Sequence, residues 1–63
     1  MLKKEAENLL GHWIEHNESH IKSLRERAEQ VQEISELAAQ DIKEAADLMD
    51  KCNEILKRAK RDL

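Results

Sequence analysis

From Ile21 to the C-terminus, the positions Ile21, Leu24, Ala28, Val31, Ser35, Ala38, Ile42, Ala45, Met49, Cys52, Leu56, Ala59 and Leu63 alternate three and four apart without a break. Only Ser35 among them is polar. This is the period of a helical stripe, whereas a half-buried strand repeats every second residue. The chain has no proline and one glycine, and it draws on Ala, Leu, Glu, Lys and Gln. These are strong helix formers, while sheets favour Val, Thr and aromatic residues. The pattern predicts an all-α protein, and 63 residues allow a single domain over residues 1–63.

Two arrangements fit this stripe. One continuous helix would be about 90 Å long and would need a partner along its whole length. The other is a hairpin, and three features select it. Ile34, Leu37, Leu48 and Ile55 widen the stripe of the second half beyond a two-stranded seam. Ser35 suits an N-cap followed by Glu36 in the first turn. Ile34 is placed for a hydrophobic staple. The expectation is an antiparallel helical hairpin with one helix over about 2–30 and another over about 35–62. No glycine or proline marks the connection. Two helices leave half of each stripe uncovered, and so short a chain has a marginal core. A homodimer closing an antiparallel four-helix bundle is the expected remedy.

The first half carries the stripe back through Leu2, Ala6, Leu9, Leu10, Trp13 and Ile14, with Gly11 inside it as a kink or a point of close approach. Trp13 is expected as a core anchor, Asn17 as a polar seam residue that sets register, and Cys52 as a small buried residue. Glu18 and Lys22 form an i, i+4 pair. Lys57, Arg58, Lys60 and Arg61 complement the dipole at the end of the second helix.

Composition narrows the partners. A net charge of −3 gives no general attraction to nucleic acid, and no apolar run approaches a membrane span. Met1 to Leu10 lacks the apolar core of a signal peptide. One cysteine excludes an intrachain disulfide and fits a reducing compartment, so the expected location is cytoplasmic. No Gly-rich phosphate loop, nucleophile elbow or HExxH string is present, and the chain is expected not to be an enzyme.

The distinctive stretch is His12-Trp13-Ile14-Glu15-His16-Asn17-Glu18-Ser19-His20, which holds every histidine and the lone tryptophan. Histidines at i, i+4 and i+8 climb one side of a helix, near enough in pairs to share a metal ion. A turn near residue 32 would set His20 across from about Ala45, with Asp41 and Glu44 within reach and Cys52 near Trp13. Asp41 shares a sector with Leu48, Cys52 and Ala59, where a carboxylate is costly unless paired or bound to metal. The expected ligands are therefore His12, His16, His20 and Asp41, and imidazole suits zinc, nickel, copper or iron. The competing reading makes each histidine a packing residue of a purely structural bundle or coiled-coil interaction module.

The string His12-Trp13-Ile14-Glu15-His16-Asn17-x-x-His20, followed by a charged helix and a second Ala/Leu/Glu-rich helix, resembles short helical-hairpin domains of archaea and anaerobic bacteria associated with nickel or cobalt handling. The similarity spans about Leu9 to Ala59. It implies that His12, His16 and His20 form the functional set, with storage, delivery or sensing of a divalent transition metal as the role and a metal-trafficking protein as partner. Cys52 and the glycine-free turn at Gln30–Glu33 depart from that pattern.

Overall fold

The computed structural model describes residues 1–63 as two helices, α1 over Lys3–Val31 and α2 over Glu36–Arg61, packed antiparallel as a hairpin. The expected boundaries hold to within one residue at each end. The molecule is a rod of 48 × 14 × 13 Å, close to the roughly 44 Å that 29 helical residues span at 1.5 Å each. No helix is long and apolar enough to cross a membrane.

The connection is built by capping. At the end of α1, the Gln32 amide donates to Ala28 O, and the Ile34 and Ser35 amides both donate to Val31 O at 2.9 Å. Ser35 then turns extended, and its Oγ accepts the Ala38 amide at 3.1 Å, which satisfies one of the free donors opening α2. No residue takes a positive φ, so the turn has no position that calls for glycine. That explains its absence between Gln30 and Glu33. Ile34 is 88% exposed and makes no staple. Among side chains, Ser35 is the one that hydrogen-bonds within the turn.

One seam holds the helices together. From α1 it takes Ile14, Ile21 and Ala28 as buried residues, with Leu10, Asn17, Leu24 and Val31 half-buried between them. From α2 it takes buried Ala39, Ala46 and Asn53, alternating with half-buried Ile42, Met49 and Leu56. The expected stripe through Ala38, Ala45 and Cys52 is thus displaced by one residue, and Ala45 and Cys52 are exposed. Both stripes have the same three-four spacing and share Ile42, Met49 and Leu56, so their centres differ by only about 50° around the helix. Packing decides between them. Ala28, Ala39 and Ala46 are 0–1% exposed, and small side chains at the contact allow interaxial distances near the short end of about 8–10 Å.

Gly11 causes no kink, since α1 runs through it. A Cβ there would meet only the tip of the Lys60 side chain, with Nζ at 3.4 Å, so no close backbone approach calls for glycine either.

Candidate metal-ligand pair

The placement of the histidines begins with a buried polar contact. Asn53 is 1% exposed, and its amide donates to Ile14 O at 3.1 Å while its Oδ1 accepts from Asn17 Nδ2 at 2.9 Å. A buried amide without partners costs about 1–3 kcal/mol, so this bond set favours one axial register. No buried side-chain polar atom is left unpaired. Asn17 was expected in the seam. Asn53 was missed, although Ala39, Ile42, Ala46, Met49, Asn53 and Leu56 form a stripe as regular as the one that was read.

With Ile14 level with Asn53, seven-residue steps set Ile21 level with Ala46 and Ala28 with Ala39. One flank of the seam is charged. Arg25 donates to Asp47 at 3.2 Å and Asp50 at 3.1 Å, and Lys57 lies 3.8 Å from Glu18 and 3.6 Å from Glu54. The bonds to Asp50 and then Asp47 raise the Arg25 pKa above its ordinary value. Glu18 thus pairs across the hairpin, not with Lys22. Arg25 and Glu18 each follow a seam residue of α1, while Trp13 and His20 each precede one. Helical geometry therefore puts Trp13, His16 and His20 on the opposite flank. The same rule puts Asp41, Leu48, Cys52 and Ile55 of α2 on that flank.

On this flank His16 and His20 converge. Their Nε2 atoms are 3.0 Å apart, and the rings meet edge to face with centroids at 4.6 Å. One ring donates its N–H and the other accepts, as their tautomers dictate. His12 stacks on His16 at 6.2 Å, inclined by 28°, with no hydrogen bond between the two rings. The ladder therefore exists on one face, but its nitrogens meet only at the upper pair. All three histidines are exposed.

Three expectations fail on the actual register. Asp41 falls level with Glu26, six residues past His20 or about 9 Å along the axis, and it is exposed. It carries none of the burial cost that made it a candidate. Cys52 is exposed, and Trp13 is 46% exposed rather than a core anchor. Within one chain, no three His, Cys, Asp or Glu side chains come together as a metal shell. The two surface depressions, one beside Glu26, Glu29 and Glu33 and the other beside Gly11, Ile14 and Lys57, are not lined by histidine.

Fold and site together define a two-helix hairpin with a paired-imidazole flank. The chain belongs to the family described as Domain of unknown function (DUF8180), whose model matches residues 6–63. No curated protein and no solved structure matches it.

Proposed function

We propose that this chain is a small, non-catalytic, cytoplasmic helical protein that self-associates and binds a divalent transition metal ion through His16 and His20. Its role is storage, delivery or sensing, in exchange with a metal-trafficking partner. The observation that carries this reading is the 3.0 Å approach of the two Nε2 atoms. Nitrogens that coordinate one zinc ion at 2.0–2.1 Å in a tetrahedral shell stand roughly 3.3 Å apart. A small ring adjustment exchanges the N–H···N bond for a shared metal. Imidazole is a common ligand of divalent transition metals, zinc and nickel among them.

The test is calorimetric titration of chelator-stripped protein with Zn²⁺, Co²⁺ and Ni²⁺ beside a His16→Ala/His20→Ala variant. Binding at a defined ratio that is lost in the variant supports the reading. Equal weak binding by both proteins overturns it.

A structural interaction module is the second reading, and a separate observation favours it. Trp13, Leu37, Leu48 and Ile55 are 46%, 74%, 59% and 54% exposed, an apolar excess that calls for a cover. On that reading helical content and melting temperature are the same with and without chelator.

A further inference from the structure

The paired imidazoles supply half of a four-coordinate shell, and the same chain has no third ligand beside them. Two further ligands must come from water or from another molecule. Three features of the flank point to a second copy of this chain.

The first is symmetry. His16 and His20 bracket residue 18, and α1, running from Lys3 to Val31, is centred on residue 17. A two-fold axis through the pair lays one α1 antiparallel against another with nearly complete overlap. An axis elsewhere along the helix would leave both ends hanging. The second is the surface around the pair. Leu48 follows Asp47, which is level with His20, and Ile55 lies within two residues of the level of Trp13. These three apolar residues share the histidine flank and are 46–59% exposed in the single hairpin. The third is charge. The Arg25–Asp47–Asp50 and Glu18–Lys57 pairs all lie on the other flank, so a copy docking on the histidine side breaks none of them.

Resting on the metal reading above, the geometry points to one tetrahedral divalent ion held by His16 and His20 of two copies, on the two-fold axis of a homodimer. The dimer closes over Trp13, Leu48 and Ile55. Four neutral imidazoles in a closed tetrahedron suit Zn²⁺ and Co²⁺ better than Ni²⁺, which favours square-planar or octahedral surroundings. His12, whose ring lies farther around the helix and off the pair, is not a ligand.

The experiment measures the mass of the full chain by sedimentation, with and without one equivalent of Zn²⁺, together with the bound-metal ratio and the visible spectrum of the Co²⁺ form. The expected results are one ion per two chains, a two-chain mass favoured by metal, and the intense bands of tetrahedral Co²⁺. Leu48→Lys and Ile55→Lys, both at exposed positions, keep the helical signal. They weaken Zn²⁺ binding by at least the roughly tenfold seen when support for a metal site is removed. His12→Ala leaves ratio and mass unchanged. One ion per chain on a single-chain mass overturns the shared site and leaves the His16–His20 metal reading standing. A dimer indifferent to metal and to both lysine variants also overturns it. Absence of binding beyond that of the His16→Ala/His20→Ala variant overturns both readings.

Discussion

The two flanks of the hairpin share one seam and differ in what closes them. On the Arg25 flank, the guanidinium bridges Asp47 and Asp50, and Lys57 sits between Glu18 and Glu54. These six charges are paired within the chain. On the histidine flank, Trp13, Leu48 and Ile55 face outward and the two Nε2 atoms find only each other. One flank is complete within a single chain and the other is not. Exposed ion pairs contribute little energy, about 0–1 kcal/mol each, while exposed apolar surface leaves more to be gained wherever it is covered.

Breaking the seam removes both flanks at once and carries the largest effect. Asn53→Ala strips the partner from Asn17 and from the second acceptor site of Ile14 O, and is expected to cost about 1–3 kcal/mol. In a domain this small that is a fall of roughly 4–8 °C in melting temperature per kcal/mol, read by circular dichroism. Ala46→Leu, at a fully buried contact, is expected to cost a similar 1–3 kcal/mol by forcing the helices apart. A melting temperature unchanged in both variants would mean that the seam lies elsewhere.

Smaller in stability but sharper for the comparison is the removal of the turn cap. Ser35→Ala exposes the Ala38 amide and is expected to cost about 1 kcal/mol. Because the cap serves neither flank, metal binding should fall only in proportion to the folded fraction. Titration at low temperature checks this.

Acidification separates the flanks by chemistry. On the proposed metal reading, protons compete with the ion for the two Nε2 atoms, so acid should weaken Zn²⁺ binding while the Arg25 guanidinium stays charged. Zn²⁺ affinity measured across a pH series should fall on acidification in the wild type, and Arg25→Ala should follow the same curve. The smallest effect is that of Arg25→Ala on stability. Its pairs are about half exposed, and the expected loss is the smallest of the series and vanishes in high salt. A larger, salt-independent loss would show that the charged flank holds the hairpin more firmly than the comparison allows.

Much of this was legible in the sequence. The unbroken three-four stripe, the absence of proline and the serine before Glu36 were enough for two helices and their turn, because period and capping act locally along the chain. The i, i+4, i+8 histidine spacing likewise determined that the three rings share one face of α1, since that follows from 3.6 residues per turn. The face of α2 that turns inward was not legible. Stripes through Ala38–Ala45–Cys52 and Ala39–Ala46–Asn53 are equally periodic, and only contact with α1 separates them. The tertiary structure chose the second, where alanines admit close packing and Asn53 finds both Asn17 and Ile14 O. That one-residue choice moved Cys52 outward, left Asp41 about 9 Å along the rod from His20, and left Leu48 and Ile55 exposed. Local periodicity determines which residues share a face; which face is buried depends on a partner surface that no window of sequence contains.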